Sequence, residues 1–581
     1  MTELQPIKNF SSLKKNLKKD FSGLKKIKVA LLGDSSTQLL NQCIKGFGFE
    51  EDYDFLIYEA DYNQIERQLL DITSGLYEFQ SDFVIVFQCV QKLGKKYFNS
   101  SKLSFADEHL GEVENFYTTI SNNLSAEIIY FNFPEINDNV FGNFSNKIEQ
   151  SFIYQLRKIN FGLMNLSVKS KGLNILDFSL INSQYGKSMT FDPKIYYTSE
   201  MVLSLDILPV VAKNITDIIS SYTGKFKKCL ILDLDNTIWG GIIGDDGIEN
   251  IQIGDLGIGK AFTELQIWIK QLKERGIIIA VCSKNNELIA KEPFENHPEM
   301  ILSLDDISVF IANWETKPDN IKNIQSILNI SFDSMVFLDD NPFERSMVRT
   351  HFPKILVPEL PDDPSLYLDY LFKLNLFETS TFSKEDVIRT KQYQDEVGRV
   401  IAQKSFVNED DFLSNLSMVS KVESFNKYNT PRVAQLSQRS NQFNLRTIRY
   451  TENDIERISK SERFITFSFT LKDKFGENGL ICVVILEKQA DVLFIDTWFM
   501  SCRVLKRGME NFTLNTIMLY AKENGFTNVV GEYLVTSKNG MVENHYKNLG
   551  FIDVNGQWKL EVKNYEEKKC FINLEINEKG R

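Results

Sequence analysis

KKCLILDLDNT, residues 227–237, decides the fold of the central part of this chain. Its apolar residues predict a strand that ends in Asp-x-Asp-x-Thr, and ligands bind where the strands of a parallel sheet end. Asp233 and Asp235 are two residues apart, so their side chains share one face of an extended strand. Both carboxylates can reach one Mg²⁺, a hard cation that prefers oxygen ligands. One carboxylate can then attack phosphorus while the other gives and takes protons.

Three further segments place groups that suit phosphoryl transfer at strand ends or helix starts. Ser283 follows the apolar run IIIAVC and can donate a hydrogen bond to a phosphoryl oxygen. Lys317 begins a helix, where its charge can neutralise the nucleophile and the phosphate together. Asp339 and Asp340 follow the strand MVFL and can complete the ligand shell of Mg²⁺.

The segments DLDNT, CSKN, ETKP and LDDN resemble, in this order, the four motifs of the haloacid dehalogenase (HAD) superfamily over about 225–375. This resemblance implies that Asp233 is the nucleophile and Asp235 the general acid and base. It also implies that Asp233, the carbonyl of Asp235 and Asp339 hold Mg²⁺, with Asp340 in support. The residues predicted to contact the substrate in this region are Thr237, Ser283 and Lys317.

The spacing of these motifs leaves little room for a cap domain. A strand, a hairpin and one helix occupy the gap between Asp233 and Ser283, and the gap from Ser283 to Lys317 is shorter. A capless site is open to solvent and can admit a bulky, protein-borne substrate. Enzymes that act on small soluble phosphates more often close a lid to exclude water.

Longer stretches resemble the FkbH-like branch of the superfamily (HAD subfamily IIIC) over nearly the whole chain. They are DLDNTIWGGIIGDDG, VCSKNNE, FLDDNPFER, VPELPDDP, RVAQLSQRSNQFNL and DTWFMSCRVLKRG. The resemblance implies an enzyme that takes a glyceryl group from 1,3-bisphosphoglycerate, a phosphorylated three-carbon acyl donor. Such an enzyme releases phosphate and loads the acyl group onto the phosphopantetheine thiol of an acyl carrier protein. Two alternatives are a phosphatase for a sugar phosphate or phosphoprotein and a scaffold that docks carrier proteins; the complete motifs argue against the scaffold.

The C-terminal part resembles the GNAT acyltransferase fold. The strand VLFIDTWFM leads into a helix whose first N–H groups can hold a pyrophosphate or a pantetheine phosphate. We therefore predict substrate contacts at Arg503, Arg507 and Gly508, and Tyr546 as the acid toward a leaving thiolate. Lys506 stands where GNAT enzymes prefer Gly, and because Lys resists positive φ, a standard coenzyme A cradle is in question. A domain that only docks the carrier is the alternative.

The seven cysteines form no CxxC pair, so the sequence indicates neither a zinc site nor a redox motif. Their odd number and wide spacing fit reduced thiols in a cytosol. Cys282, beside Ser283, and Cys502, at the end of a strand, can each carry an acyl thioester. We favour Cys282 by proximity, although strand alternation points neighbouring side chains to opposite faces. The alternative for both is a small buried apolar residue.

The N-terminal segment KIKVALLGDSST contains Gly33-Asp34-Ser35, which resembles the nucleophile block of SGNH hydrolases. That family also needs a late Asp-x-x-His, and FDPKIYY (191–197) contains no His. Without a base Ser35 is a weak nucleophile. We therefore predict an inactive, structural or docking domain.

Bulk properties narrow the remaining classes. The net charge of -12 over 581 residues argues against a broad nucleic-acid surface. The N-terminus lacks the apolar region of a signal peptide, and no run is long enough to span a membrane, so we expect a cytoplasmic protein. The predicted fold is α/β with three domains. They are an SGNH-like parallel sheet at 1–222, a capless Rossmann-like HAD domain at 223–375, and a GNAT-like mixed α/β domain at 410–581 after a helical linker at 376–409.

Overall fold

Three β-sheets organise the part of the chain that the computed structural model describes, residues 7–403, 405–536 and 538–575. The side chains of Lys384, Ile401 and Cys502 lie outside this description. The chain divides into two units, Met1–Ile219 and Ser220–Arg581. The predicted N-terminal domain corresponds closely to the first unit, while the predicted HAD and GNAT-like domains share the second. The α/β fold class predicted from the sequence is confirmed.

The first unit is built on a five-stranded parallel sheet in the order β2-β1-β3-β4-β5. Its strands are β1 Lys25–Gly33, β2 Tyr53–Glu59, β3 Phe83–Phe87, β4 Glu127–Phe131 and β5 Leu173–Leu176. The helices up to the second sheet are α1 Phe10–Asn16, α2 Gln38–Glu50, α3 Ile65–Leu70, α4 Gly75–Phe79, α5 Val90–Phe98, α6 Phe105–Asn123, α7 Phe152–Lys169, α8 Phe178–Tyr185, α9 Lys187–Thr190, α10 Pro193–Ser199 and α11 Leu208–Tyr222. Asp34 and Ser35 directly follow β1, which lies between β2 and β3 in this sheet.

The second unit begins with a four-stranded parallel sheet in the order β8-β7-β6-β9. Its strands are β6 Cys229–Leu232, β7 Ile278–Ser283, β8 Val309–Ala312 and β9 Met335–Leu338. The helices around and after it are α12 Ile243–Asp246, α13 Gly259–Glu274, α14 Glu287–Asn296, α15 Lys317–Leu328, α16 Pro342–His351, α17 Tyr367–Leu374, α18 Lys384–Val387 and α19 Arg389–Gln403. Only α12 and α13 are inserted between β6 and β7 in this described stretch, so the domain has no cap.

Local sequence explains the turns that leave this sheet. The four residues of β6 are fully buried, as a central strand covered on both faces requires. Asn236 then adopts a left-handed conformation with φ of 54°, which Asn tolerates better than most residues, and its side chain accepts a hydrogen bond from the Gly241 N–H. The helices α15 and α16 each carry Pro in the first turn, where the missing N–H costs nothing.

The C-terminal part of the second unit is a mixed sheet in the order β16-β17-β15-β14-β13-β12-β10-β18, with β11 paired to β12. Its strands are β10 Met418–Ser420, β11 Val422–Glu423, β12 Phe464–Asp473, β13 Gly476–Gln489, β14 Val492–Met500, β15 Asn528–Gly531, β16 Ile552–Val554, β17 Gln557–Glu561 and β18 Ile572–Leu574. Its helices are α20 Glu409–Asn415, α21 Thr430–Arg439, α22 Glu452–Lys460, α23 Met509–Glu523 and α24 His545–Asn548.

The predicted linker is helical, but it is packed on both sides. On the side of the parallel sheet, Gln394 of α19 donates a hydrogen bond to the carbonyl of Ile307 at 3.1 Å. On the side of the mixed sheet, Arg399 donates two hydrogen bonds of 2.8 Å to the carboxylate of Asp473. Because α19 bonds to both, it holds the two sheets of the second unit together.

The buried carboxylate of Asp473 leads to a stability prediction. It faces Arg399 and also Arg507, so Asp473→Asn removes the fully buried one of the two carboxylates that these guanidiniums share and leaves them Glu396. Loss of one partner of a buried ion pair costs about 3–5 kcal/mol. We expect a loss of this size in urea unfolding of the full chain, monitored in the second unit.

The matched control is Asp410→Asn, since Asp410 pairs with Lys569 where both side chains are mostly exposed. Such a pair contributes at most about 1 kcal/mol. Equal, small effects of both substitutions would show that α19 is not anchored by this ion pair.

Candidate functional site

The predicted catalytic residues meet at one edge of the parallel sheet. Asp233 follows β6, Ser283 ends β7 and Asp339 follows β9, and these three strands run parallel. Carboxyl ends of parallel strands share an edge, which is where such sheets bind ligands. Asp233, Asp339 and Asp340 each place one carboxylate oxygen within 4.8 Å of the others. Among the described residues this is the one such group that can hold a metal ion.

Lys317 supplies the positive charge at this edge. Its Nζ lies 2.5 Å from Asp233 Oδ1 and 3.0 Å from Asp339 Oδ2, and it donates a hydrogen bond to the carbonyl of Cys282 at 3.0 Å. Burial by itself would lower the pKa of Lys317, but the two carboxylates outweigh it and raise that pKa. Lys317 is therefore a fixed cation between the predicted nucleophile, Asp233, and a predicted metal ligand, Asp339.

The carboxylates fit a divalent cation. Burial, and then the charge of Asp233, raise the pKa of Asp339 to about 7 and that of Asp340 to about 6. Burial is the larger cause of both shifts, and repulsion between the crowded carboxylates adds to it despite the nearby lysine. A hard cation bound between them relieves that repulsion, and an all-oxygen set is what Mg²⁺ prefers.

The carboxylate of Asp235 has hydrogen-bond partners of its own, apart from the three carboxylates that could hold a metal ion. Its Oδ1 accepts hydrogen bonds from Trp239 Nε1 at 2.9 Å and from the Ile243 N–H at 3.0 Å. Its Oδ2 accepts one from Asn285 Nδ2 at 2.8 Å. Only the main-chain carbonyl of Asp235 is left for the predicted metal role, while three donors fix the carboxylate as an acid or base must be fixed. Trp239 and Asn285 lie within the motif stretches, but their role requires contacts across strands.

Two residues hold the loop after β9. Thr237 is fully buried and accepts a hydrogen bond from the Asp340 N–H at 3.1 Å. Its hydroxyl, which we predicted to contact substrate, therefore supports the loop. Arg345 donates to the carbonyls of Asp339 and Asp340 at 2.9 and 2.6 Å. The sequence analysis missed Arg345, although FLDDNPFER ends on it.

Ser283 and Cys282 occupy opposite faces of β7. Ser283 Oγ accepts a hydrogen bond from Asn285 Nδ2 at 3.3 Å, beside Asp235. The thiol of Cys282 instead lies in the apolar cluster that contains Ile321 and Ile324. Burial raises the pKa of Cys282 to about 12, so it is not a thiolate at neutral pH. Strand alternation outweighs proximity here, and the geometry does not supply the acyl relay that we predicted for Cys282.

The turn before α23 contains two residues with positive φ, although one of them is a lysine. Lys506 has φ of 62° and Gly508 φ of 76°, so a lysine occupies the left-handed position despite its Cβ. Arg507, predicted to contact substrate, is instead directed inward to Glu396 and Asp473. Arg503 lines a cavity described below.

Tyr546, the predicted acid, is enclosed. Only 1% of its surface is exposed, its ring packs on Trp558, and burial raises the pKa of its hydroxyl. The nearby edge of β14 is also occupied, because the Leu445 N–H donates to the Trp498 carbonyl and the Met500 N–H donates to the Phe443 carbonyl. Within the described residues, this geometry gives a thioester no path to Tyr546.

The N-terminal nucleophile block is buried as well. Ser35 has no exposed surface, and its Oγ has no hydrogen-bond partner among the described residues. Asp34 accepts a hydrogen bond from the Cys89 N–H at 2.9 Å and shares a cavity with His109, which lies 3.2 Å from the hydroxyl of Tyr130. Ser35 does not line that cavity.

Comparison with known proteins gives the family. The family described as "FkbH, N-terminal domain" matches residues 28–220. The N-terminal part of the protein BF1531 from Bacteroides fragilis, a crystal structure containing a phosphatase domain complexed with Mg, is 53% identical. The match covers 65% of this chain and 100% of that chain, with a TM-score of 0.63. The chain belongs to the FkbH-like family. The resemblance read from its sequence is confirmed.

Other solved structures are much less similar to this FkbH-like protein. The ribosomal-protein-S18-alanine N-acetyltransferase from Escherichia coli is 14% identical over 26% of this chain and 99% of that chain, with a TM-score of 0.21. A GNAT-family acetyltransferase from Staphylococcus aureus is 11% identical over 25% and 99%, with a TM-score of 0.21. At these scores neither supports an argument about ligands. A search of curated proteins found no significant match. No helix in the described ranges has the length and apolar character needed to cross a membrane.

Arg345 leads to a prediction about the metal site. Arg345→Met removes the donor that holds the carbonyls of Asp339 and Asp340, and loss of such outer contacts typically weakens metal binding about 10–100-fold. We expect the Mg²⁺ concentration for half-maximal phosphate release to rise by that factor. Arg349→Met is the matched control, because Arg349 pairs with the same Glu359 but contacts neither aspartate. Equal shifts in both variants would refute a specific role for Arg345.

Ser35 leads to a prediction for the first unit. Ser35→Ala removes a fully buried hydroxyl that does not line the cavity of Asp34 and His109, so phosphate release and acyl loading should remain at the wild-type rate. Steady-state assays of both reactions with the full chain make the comparison. A large loss in a variant that still folds would reveal a working hydrolase site.

Proposed function

We propose that this FkbH-like protein is an Mg²⁺-dependent phosphatase of the HAD type, coupled to transfer of a three-carbon acyl group to a carrier-protein thiol. The observation that carries the proposal is the meeting of Asp233, Asp339 and Asp340 with Lys317 at one sheet edge. The Mg-bound phosphatase domain of the Bacteroides fragilis relative supports both the cation and the phosphatase class.

Each side chain has a task in the phosphatase half of this proposal. Asp233 Oδ attacks phosphorus while Lys317 offsets negative charge on the nucleophile and the phosphoryl oxygens. Asp235, fixed by its three donors, gives a proton to the departing oxygen and later takes one from the attacking water. Ser283 donates a hydrogen bond to the phosphoryl group. Mg²⁺, held by Asp233, Asp339 and the Asp235 carbonyl with Asp340 in support, supplies further charge neutralisation.

Chemical balance decides which phosphate Asp233 removes. Attack on the phosphorus of an acyl phosphate would release a free carboxylate, and the energy needed for a thioester would be lost. The thiolate of the carrier must therefore attack the carbonyl carbon, forming C–S while the C–O bond to phosphate breaks and phosphate leaves. The donor 1,3-bisphosphoglycerate also carries a phosphate ester, and this is the group that Asp233 hydrolyses. The products are a glyceryl thioester and two phosphates.

The acyl group passes directly to the carrier in this proposal. The buried, apolar surroundings of Cys282 and the raised pKa of its thiol argue against an enzyme thioester there. The side chain of Cys502 lies outside the described residues, and a Cys502→Ala variant tests whether it carries the acyl group. Direct transfer needs no enzyme cysteine.

A second candidate is a phosphatase for a phosphoprotein, and the capless site favours it. No folded insertion covers Asp233 in the described stretch between β6 and β7, so a protein-borne phosphate can approach. A sugar phosphate suits such an open site less well, because small substrates are usually enclosed. The complete set of acids and lysine is more than a docking scaffold requires.

Asp233→Asn separates these possibilities. The variant removes the nucleophile but not the acceptor thiol, so we expect phosphate release from the ester to fall by roughly 10³-fold or more. A carrier protein incubated with the variant, Mg²⁺ and 1,3-bisphosphoglycerate should then carry phosphoglycerate, heavier than the wild-type product by one phosphoryl group. Intact-protein mass spectrometry makes the measurement.

Asp369→Asn is the control, since Asp369 is an exposed carboxylate that pairs with Lys373 on α17. It should give the wild-type product. A carrier that stays unmodified with the wild-type enzyme would refute acyl loading and leave the phosphatase alone. Wild-type release of phosphate from the ester by Asp233→Asn would refute Asp233 as nucleophile.

The cysteines lead to a further prediction. Cys282→Ala should leave glyceryl loading within about twofold of wild type, because its thiol contributes only packing, and a small buried deletion costs stability rather than chemistry. No hydroxylamine-sensitive adduct should appear on the enzyme before carrier is added. An adduct that disappears in Cys282→Ala or in Cys502→Ala would identify that residue as a relay.

A further inference from the structure

A polar cavity lies in the second unit, away from the catalytic edge, by which we mean the sheet edge that carries Asp233, Asp339 and Lys317. Its volume is about 80 Å³, and the residues that line it include five cationic side chains and no acidic one. The five are Lys228, Arg389, Arg432, Arg439 and Arg503. Since a single water needs far less space, the cavity has room for a small polyatomic group.

The cavity is distinct from the catalytic site. Lys228 precedes β6 and Ile278 begins β7, so the cavity lies at the amino ends of strands whose carboxyl ends carry Asp233 and Ser283. At about 3.3 Å per residue, Lys228 and Asp233 are roughly 16 Å apart along the strand. A phosphate bound at Asp233 therefore cannot also contact these arginines.

The positive charge in the cavity exceeds what the protein compensates. Asp386, which lies behind the lining, pairs with both Arg389 and Arg439. Arg432 bonds through one nitrogen to the neutral Gln435, and its Nε has no partner among the described residues although only 6% of the residue is exposed. Asp386, with a further electrostatic contribution from Glu385 at Arg432, thus serves three guanidiniums.

Arg503 adds to this excess. It donates to the neutral Gln392 and to the carbonyl of Asn478, and it forms no ion pair among the described residues. Burial lowers the pKa of Arg503 to about 10 and that of Arg439 to about 9, as expected where cations are crowded and poorly hydrated. Both remain charged at neutral pH.

A buried guanidinium without a counter-ion is costly, and proteins seldom keep one unless it binds something. The four arginines of the cavity come from three separate segments. RVAQLSQRSNQFNL supplies Arg432 and Arg439, SCRVLKRG supplies Arg503, and α19 supplies Arg389. The phosphatase site accounts for none of them.

We propose that this cavity, called here the arginine cavity, binds a phosphate group of a ligand. A phosphate dianion offsets two charges and offers three acceptor oxygens, and planar guanidiniums bind it through paired hydrogen bonds. A carboxylate would offset one charge only. Two sources can supply a phosphate, a small phosphorylated acid, whose monoester is such a dianion, and a pantetheine arm, whose phosphodiester carries one charge and two free oxygens. The proposal does not rest on the proposed reaction.

Isothermal titration calorimetry of the full chain with inorganic phosphate tests the proposal. Chelator is added so that no divalent cation supports the catalytic edge. We expect saturable binding by the wild type and a loss of at least tenfold in affinity in Arg432→Gln. Ser283→Ala, which alters the catalytic edge, and Arg463→Gln, which alters an exposed arginine of the same domain, should bind like the wild type.

Thermal unfolding without phosphate separates ligand binding from a structural role. If Arg432 serves a ligand, Arg432→Gln should unfold at or above the wild-type temperature, because an uncompensated buried charge is removed. If that variant does not fold, Arg503→Gln provides the same comparison. No binding by the wild type, unchanged binding in the arginine variants, or loss of binding in Ser283→Ala would overturn the proposal.

Competition then identifies the source of the phosphate. 3-Phosphoglycerate and coenzyme A, a carrier of pantetheine phosphate, are titrated into wild type and Arg432→Gln under the same conditions. The ligand that binds more tightly than inorganic phosphate, and loses that advantage in the variant, is the source. Equal binding of all three would assign the cavity to inorganic phosphate itself.

Discussion

The contact of Lys317 with the carboxylates of Asp233 and Asp339 is the interaction on which the catalytic edge depends. Three carboxylates this close and this buried would repel one another, and one lysine offsets only part of their charge. The parallel sheet brings the acids together because its strand ends share an edge, and Pro318 starts α15 where the lysine can reach them. The negative charge that Lys317 leaves uncompensated is what a divalent cation would offset.

Much of this edge could be predicted from the sequence, because each residue lies directly after a strand or at the start of a helix. Contacts between distant segments could not. The bond from Asn285 to Asp235 and the support from Arg345 depend on how loops fold over the edge. Alternation of side chains along β7 can be predicted from the sequence, but proximity to Ser283 favours Cys282 as the acyl carrier, and the structure shows that alternation decides its direction. The five cations of the arginine cavity come from four separate segments, and the inward direction of Arg507 depends on Asp473 of another strand.

The second unit therefore combines two polar sites at opposite ends of one sheet, with α19 fixed between that sheet and the mixed one. The catalytic edge has no cap inserted between β6 and β7 in the described stretch, which in our proposal suits a phosphate presented by a large substrate. The arginine cavity is small and suits a phosphate that stays bound without reacting, since neither a carboxylate nor a thiol lines it in the described residues. In our account, one site performs chemistry on phosphorus and the other holds a phosphate in place.

Trapping the phosphoryl-enzyme tests the central claim most directly. The wild-type chain is mixed with Mg²⁺ and its phosphorylated substrate, quenched in acid and treated with borohydride, which reduces an aspartyl phosphate to homoserine. Peptide mass spectrometry should find homoserine at position 233 and at no other aspartate. Homoserine at another position, or none under conditions where phosphate is released, would contradict nucleophilic catalysis by Asp233.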